Sequence, residues 1–339
     1  MRFQTKIVQV AVFMCLSLCV ILAEDIKREE ADNLLRRAQE ASCTMGASHP
    51  PYEESGTLTF LGLVKGDPKG TLRKQWADQD NFIEEIREGD YQQLVIRKDG
   101  KRYRHQNATF TPLRITQLWH LMPPCCVRLT SDDIVRKLKN RRVGDRDARC
   151  IEYDTIQGHG KASHEVCIDK ATATTLSYGI TYGNGDEYEY LWNNYGLFDG
   201  KLLPHHAELN LRELGVDFSH KIIDANFDYI SASLTPASIV VPDGMQQEPV
   251  CRTKVPPSLK SAPDPSFPVD VPRHNTKVVL RVILGPDGMT HDSQILQTGG
   301  RGYDEAAQEA VRRWMYMPEL CDGQPQETQL NVEVDFRLR

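Results

Sequence analysis

The sequence contains nine cysteines, and the seven that follow residue 23 are the side chains with most scope for chemistry. Thiols form disulfides, bind metal ions or act as nucleophiles. Because the chain has no CxxC or HxxxH spacing, and because adjacent Cys125 and Cys126 do not easily chelate one ion, we expect no metal site. Cys150 and Cys167 lie in β-patterned runs on either side of GHGKA. A hairpin that turns near His159 would place them opposite each other, which predicts a disulfide.

The remaining polar motifs favour no catalytic mechanism. His205 and His206 are adjacent, so on a strand their side chains point to opposite faces and do not meet at one site. The motifs GxSxG and HExxH and a glycine-rich phosphate loop are absent from the sequence. We interpret Cys125 and Cys126 as disulfide partners for Cys43 or as buried thiols, rather than as nucleophiles. We therefore expect neither an enzyme nor a cofactor. The alternative, a hydrolase on the β-rich region, would require a perturbed pair of ionisable groups in a cleft.

The composition limits the class of protein. The chain has 339 residues, and its 41 basic and 47 acidic side chains give a net charge of −6. The lack of long basic runs argues against nucleic acid as a partner. An apolar content of 40%, a charged content of 26% and a mean hydropathy of −0.47 are typical of a globular protein and exclude a polytopic membrane protein. The length suggests two folded units and a leader, or one large all-β domain.

Residues 1–23 have the layout of a signal peptide. Arg2 and Lys6 precede an apolar run from Ile7 to Ala23, and a sharply charged segment follows. We expect export and cleavage after Ala23. The alternative is an uncleaved membrane anchor, although a run of about 17 residues is short for a spanning helix. The protein would associate with a membrane only in that second case.

The residues after the leader predict one helix and then a β-rich domain. Residues 24–49 begin with EDIKREEADNLLRRAQEAS, which has the pattern of an amphipathic helix. Residues 50–232 contain short β-patterned runs between turn signals, which predict an antiparallel meander of about five strands and, after an interruption, further strands. Two helices are predicted inside this domain, in TPLRITQLWHLM and SDDIVRKLKN. We expect an α+β fold in which a curved antiparallel sheet packs on helices, with a closed barrel as the alternative.

A proline-rich linker is predicted at residues 233–264. Nine prolines occur between Ser233 and Pro272, and this stretch has no amphipathic period. Such a composition gives a semi-extended chain and indicates a domain boundary.

The final domain, residues 265–339, is predicted to be a small ββαβ unit. TKVVLRVILGPDGMTHDSQILQT has the pattern of a hairpin, GRGYDEAAQEAVRRWMYM that of a helix, and ETQLNVEVDFRLR that of a strand. The expected core residues are Val279, Leu280, Trp314 and Tyr316, and Pro318 is expected to end the helix.

The order of these motifs resembles the C-terminal domain of the TonB family. The matching elements are Phe267-Pro268, Thr276 with Val278 and Val279, Asp287-Gly288, Ala306, Ala307 and Ala310, Trp314 with Tyr316 and Pro318, Asp322-Gly323 with Pro325, and Phe336. The family has a tyrosine before the first proline and a glycine where this chain has Asn275. Cys321 lies outside the family pattern, and with Cys251 it could staple the linker to the domain. The resemblance implies a periplasmic protein associated with cell-envelope transport, anchored in the inner membrane if the leader is uncleaved.

In that family, a short segment of a partner protein adds to the sheet beside the last strand, which is β-augmentation. The resemblance implies the same role here, toward a cell-envelope protein or peptide segment. The implied partner-binding edge strand contains Thr328, Leu330, Val332, Val334, Phe336 and Leu338. The alternative is an edge that is only solvated or is covered by the other domain. The apolar leader contains Ser17 but no histidine, so the motor-coupling helix of full TonB transducers is not matched and we expect the short TonB-like type.

A second resemblance, carried by less specific motifs, covers about residues 55 to 245. A curved sheet with helices packed inside, ending in TPASIVVPDG, is similar to the LolA-like half-barrel superfamily of lipoprotein carriers. This resemblance implies an alternative function, the transport of lipid or another hydrophobic ligand on the concave face of the sheet. The candidate lining residues are Phe60, Leu72, Trp76, Phe82, Ile86 and Trp119. The same residues could instead form the core beneath the two predicted helices.

Overall fold

The computed structural model describes residues 24–44, 49–61, 68–121, 127–157, 160–182, 187–212 and 220–338. Within these residues the protein is mostly antiparallel β-sheet with few helices. The predicted signal peptide, residues 1–23, lies outside the described residues. Among the helices that are described, none is long and apolar enough to cross a membrane.

Thirteen strands form one large antiparallel sheet. They are β1 (Tyr52–Phe60), β2 (Lys69–Asp78), β3 (Asn81–Glu88), β4 (Tyr91–Lys98), β5 (Lys101–Gln106), β6 (Ile134–Val143), β7 (Arg146–Gln157), β8 (Gly160–Asp169), β9 (Thr175–Tyr182), β10 (Glu187–Phe198), β11 (Lys201–Arg212), β12 (His220–Ser231) and β13 (Gln246–Gln247). Their order across the sheet is β13-β5-β4-β3-β2-β1-β12-β11-β10-β9-β8-β7-β6. Tight turns join several neighbours, and at Asp99-Gly100 and Asp199-Gly200 both residues have positive φ, as two-residue hairpin loops require.

Two helical segments pack on the buried face of this sheet. Residues 24–42 form helix α1, whose Ala31, Leu35 and Ala38 pack against strands β7 and β8. The predicted helix in TPLRITQLWHLM is realised as two short pieces, α2 (Leu113–Thr116) and a 3₁₀ helix (Gln117–His120). We name residues 110–121 the cover segment, because Ile115, Leu118 and Leu121 pack on the sheet.

The helix predicted in SDDIVRKLKN is wrong. Residues of this stretch begin strand β6, which pairs with β7 from Ile134↔Asp154 to Val143↔Arg146. Lys139 and Arg141 form ion pairs with acidic side chains on β7 and β8. The long ladder to β7 and these cross-strand charge pairs outweigh the modest helix propensity of the segment, which is a weak determinant by comparison.

Short strands in the stretch from 233 to 264 pair with the large sheet and with strands in the last part of the chain. Strand β13 extends the large sheet beside β5. Strand β14 (Lys254–Val255) pairs with β19 (Glu319–Cys321), and strand β15 (Ser258–Ser261) pairs with β18 (Met315–Met317). The proline-rich stretch therefore adds short strands to both parts of the molecule.

The last part of the chain forms a three-stranded sheet beneath a helix. Its strands are β16 (Thr276–Leu284), β17 (Thr290–Gln297) and β21 (Thr328–Phe336), in the order β17-β16-β21, and α3 is Tyr303–Val311. Strand β20 (Gln324–Gln326) forms a hairpin with β19. The predicted helix continues to Met317, but α3 ends at Val311 because residues 315–317 pair with β15 instead. We call residues 265–338 the C-terminal domain.

Candidate functional site

Strand β21 lies at the edge of the C-terminal sheet. It pairs with β16 through nine consecutive residues from Thr328↔Leu284 to Phe336↔Thr276, without a bulge. On its other side, the part of the chain that the structure describes supplies no strand. A regular edge of this kind presents backbone donors and acceptors that can pair with an added strand.

The predicted partner-binding residues on β21 are divided by burial. Val332, Val334 and Phe336 are buried in the core of the C-terminal domain, Thr328 and Leu330 are partly buried, and Leu338 is exposed. The residues between them, Gln329, Asn331, Glu333, Asp335 and Arg337, are exposed. An added strand would therefore contact the exposed polar side chains of β21, which were not among the predicted binding residues. The buried apolar side chains mainly anchor the strand to the domain.

Charge pairs occupy the exposed face of β21. Lys277 Nζ lies 2.7 Å from Glu333 Oε2, and Arg337 Nη2 lies 3.0 Å from Asp335 Oδ2. The hydrogen bond that the Lys277 ammonium donates to the Glu333 carboxylate raises the pKa of Lys277. Charged side chains along an edge strand reduce indiscriminate pairing with other chains.

The predicted core residues of the C-terminal domain separate onto two faces of its sheet. Leu280, Trp314 and Tyr316 belong to the core cluster beneath α3, and the Trp314 indole N–H donates to the carbonyl of Pro263 over 3.2 Å. Burial raises the pKa of Tyr316 to about 12. Val279 is buried next to Leu280 on the same strand, and so on the opposite face, and Pro318 is partly buried.

The inner face of the large sheet, which is the face covered by the helical segments, contains three of the predicted ligand-lining residues in one cluster. Phe60, Leu72 and Ile86 pack there with Leu118 and Leu121 of the cover segment. The small cavity between sheet and cover segment has room for about one water molecule. In this closed arrangement the three residues act as a core beneath the cover segment.

The other predicted lining residues lie apart from this cluster or outside the described part. Trp76 is buried and stacks on partly exposed Phe82, with ring centroids 5.7 Å apart. The side chain of Trp119 lies outside the described residues. Trp76 and Phe82 lie on the same inner face, four residues along strands β2 and β3 from the pair Leu72 and Ile86.

A row of buried ionisable side chains crosses this inner face, and none of them is among the residues predicted from the sequence. Glu54, Lys74 and Glu84 are 4%, 2% and 2% exposed and lie directly opposite one another on β1, β2 and β3. Burial raises the pKa of Glu54 to about 7, and burial also raises the pKa of Glu84. The Lys74 ammonium lies 5.1 Å from the centroid of the Trp76 ring. One signal was present in the sequence. Glu54 and Lys74 lie at alternating positions of their strands that the pattern otherwise fills with apolar, inward-facing side chains.

His205 and His206 make separate contacts within the large sheet. His206 contacts Asp224 at 3.0 Å on the half-buried face of β11 and β12, and Lys221 lies 2.8 Å from Glu208 and 3.0 Å from Asp224. The Lys221 ammonium group therefore supplies the positive charge that pairs with the carboxylates of Glu208 and Asp224. His205 binds the backbone carbonyl of Phe227 instead, as expected for adjacent residues on a strand.

Two of the predicted disulfides are confirmed. Cys150 and Cys167 are direct cross-strand partners and are bonded, as the hairpin prediction requires. Cys251 is bonded to Cys321 and joins the proline-rich stretch to the C-terminal domain. The remaining prediction pairs Cys43 with Cys125 or Cys126, and these last two residues lie outside the described residues.

The C-terminal domain makes polar contacts with the cover segment. The backbone N–H of Thr111 donates to Glu327 Oε2 over 2.8 Å, and that of Leu113 donates to Asp292 Oδ2 over 2.9 Å. The Gln117 amide donates to Gln294 over 2.8 Å. The rings of Phe110 and His291 also stack. A separate contact reaches the large sheet directly, where Arg281 donates to the hydroxyl of Tyr188 on β10.

The class of the C-terminal domain follows from its sequence and is consistent with its sheet. Residues 272–338 match the family described as the Gram-negative bacterial TonB protein C-terminal domain. This confirms the first resemblance for that part of the chain.

No curated protein sequence matches the chain. Among solved structures, a LolA superfamily protein from Nitrosomonas europaea aligns at 13% identity and a TM-score of 0.42, covering 60% of this chain and 94% of that one. An outer membrane lipoprotein-sorting protein domain from Vibrio parahaemolyticus aligns at 11% and 0.41, covering 59% and 92%. The MucA/MucB complex of Pseudomonas aeruginosa aligns at 13% and 0.29, covering 80% and 85%. The first belongs to the superfamily that the second resemblance named. At these values the comparisons describe partial backbone likeness only.

Proposed function

We propose that this is a non-catalytic periplasmic protein of the cell envelope that binds a segment of a partner protein by β-augmentation along β21. The observation that carries the proposal is the regular edge of β21, which is paired on one side only within the described residues. The TonB-type sequence of residues 272–338 supports it, since recognition by strand addition uses this kind of exposed sheet edge.

The partner would contact two kinds of group. Its backbone would pair with the outer edge of β21, which gives affinity without strict sequence demands. Its side chains on the exposed face would lie beside Asn331, Glu333 and Asp335, so the partner segment is expected to place polar or basic residues at alternate positions there.

Site-specific photo-crosslinking in the native cell envelope tests this proposal. A photoreactive residue at Glu333 on β21 is compared with one at Glu309 on α3, because their side chains are 59% and 64% exposed. We expect Glu333 to crosslink one extended segment of a partner, and a synthetic peptide of that segment to slow hydrogen exchange of the β21 amides. Identical products from both positions, with unchanged exchange, would contradict the proposal.

A second candidate function is carriage of a lipid or another hydrophobic ligand. The observation that favours it is the apolar inner face of the large sheet, where Phe60, Leu72 and Ile86 are covered by the short helical cover segment. Native mass spectrometry of protein purified from its host tests this function. We expect a bound species with the mass of a lipid, and its consistent absence would count against the carrier function.

A further inference from the structure

The cover segment obtains part of its backbone hydrogen bonding from the C-terminal domain. The first N–H groups of a helix have no partner within the helix and need an acceptor from elsewhere. At α2 the N-cap position is Pro112, which makes no side-chain cap. Asp292 and Glu327 supply the missing acceptors for Leu113 and for the preceding Thr111. A carboxylate is a strong acceptor for these backbone N–H groups.

The opposite end of the cover segment is fixed by the large sheet. The Trp192 indole N–H donates to the carbonyl of Leu121 over 2.8 Å, and both side chains are buried. Between these two anchors, Ile115, Leu118 and Leu121 fill the inner face. A four-residue α-helix followed by a four-residue 3₁₀ helix is too short to be stable by itself, so its position depends on these anchors.

The C-terminal domain is itself held beside the large sheet. Glu248 forms ion pairs with Arg102 and Arg104 on β5, and Cys251, three residues further on, is disulfide-bonded to Cys321. The carboxylates of Asp292 and Glu327 therefore stay near the cover segment even if their hydrogen bonds break. This tether allows the contact to open and close again.

We propose that the C-terminal domain is a latch that keeps the cover segment closed over the inner face of the large sheet, and that an apolar acyl chain enters this face only when the latch opens. The second part rests on the carrier function proposed above. The latch residues are Asp292 and Glu327, which act as positioning residues through the backbone of the cover segment.

The experiment compares the full-length protein with the double variant Asp292→Ala and Glu327→Ala. The matched control is Asp270→Ala with Glu309→Ala, which removes two exposed carboxylates from the same domain away from the cover segment. The double variant Asp292→Asn and Glu327→Gln keeps a neutral acceptor and should give an intermediate result. Circular dichroism and thermal unfolding establish that each variant is folded.

Two readouts separate the latch from the ligand. Hydrogen exchange is measured at the amides of Ile115, Thr116 and Leu121, which bond within the segment. Binding of a fluorescent fatty acid is measured with the same samples. We expect exchange at these amides to rise at least about tenfold in the alanine variant, since two charge-assisted hydrogen bonds are lost, and fatty-acid binding to increase several-fold.

Each outcome decides one part of the proposal. Exchange that is unchanged from the control overturns the latch. Faster exchange without fatty-acid binding supports the latch and overturns the acyl ligand, and with it the carrier function. Faster exchange and stronger binding together support both.

Discussion

The inner face of the large sheet and the core of the C-terminal domain bury apolar side chains in the same way but differ in charge. Among the described residues of the C-terminal domain, Thr290 is the only buried polar side chain outside the aromatic and sulfur-containing residues, and no acidic or basic side chain is buried. The inner face adds the buried row of Glu54, Lys74 and Glu84. Buried ionisable groups lower stability unless they are well paired, and they concentrate at functional sites. This difference is why the two proposals separate, with a ligand proposed for the inner face and a partner segment proposed for the edge of β21.

The largest expected loss of stability follows from removing part of the core that supports β21. Phe336 is fully buried, and we expect Phe336→Ala to cost about 3 to 5 kcal/mol of unfolding free energy. The control Glu333→Ala on the same strand removes an exposed side chain and should change stability by less than about 0.5 kcal/mol. Denaturant unfolding monitored by Trp fluorescence measures both. Equal costs for the two variants would show that β21 is not anchored by its buried face.

The two disulfides offer the next test. Replacing Cys251 and Cys321 together by alanine should cost about 2 to 4 kcal/mol, because the bond closes a loop of 70 residues in the unfolded chain. Limited proteolysis should then cleave the proline-rich stretch near Pro249 and Val250 faster than in the parent protein. Replacing Cys150 and Cys167 should destabilise the large sheet without this new cleavage. The same cleavage pattern in both variants would contradict a local role for the Cys251 bond.

The pH dependence of stability tests the difference in buried charge between the inner face and the C-terminal core. The raised pKa of Glu54, about 7 against 4.5 for an ordinary glutamate, means that the folded state binds a proton more tightly than the unfolded state. The contribution of Glu54 to stability is therefore greatest below about pH 4.5 and is lost as pH rises through about 7, by about 3 kcal/mol when complete. We expect Glu54→Gln to be near neutral at pH 4.5 and stabilising at pH 8.

The control for this titration is a glutamate in the C-terminal domain. Glu309→Gln removes an exposed carboxylate and serves as the matched variant. Unfolding curves between pH 4.5 and pH 8 measure both variants. If Glu54→Gln has the same effect at both ends of this range, Glu54 is not buried as described.

The smallest expected effect concerns the exposed face of β21. Glu333→Lys with Asp335→Lys should alter stability by less than about 1 kcal/mol, since exposed ion pairs contribute little. The same change should weaken binding of the crosslinked partner peptide if that peptide has basic residues at alternate positions. Fluorescence anisotropy with the labelled peptide measures this, and Glu309→Lys on α3 is the control. Unchanged affinity would exclude the exposed face as a specificity determinant.

Much of the local structure was predictable from short stretches of sequence. The Cys150 to Cys167 disulfide followed from two β-patterned runs around one turn, because hairpin register is fixed by the turn. Burial on β21 alternates as the sequence does, with Val332, Val334 and Phe336 inward. The candidate edge residues were therefore placed on the correct strand, although the exposed polar set was not selected.

Other features depended on partners that are distant in sequence. The segment SDDIVRKLKN forms strand β6 because β7 offers a full ladder, and residues 315–317 leave the helix because β15 pairs with them. The row of Glu54, Lys74 and Glu84 needs the register of three strands to be seen.

The sequence by itself determined the turns, the alternation of the strands, the cysteine hairpin and the TonB-type motif order, since each depends on residues close together along the chain. Tertiary structure alone decided which strands are neighbours, where the edges lie and how Asp292 and Glu327 reach the cover segment. The physical reason is that hydrogen-bond ladders and helix caps between distant residues contribute as much free energy as local propensity, and no short window of sequence contains both partners.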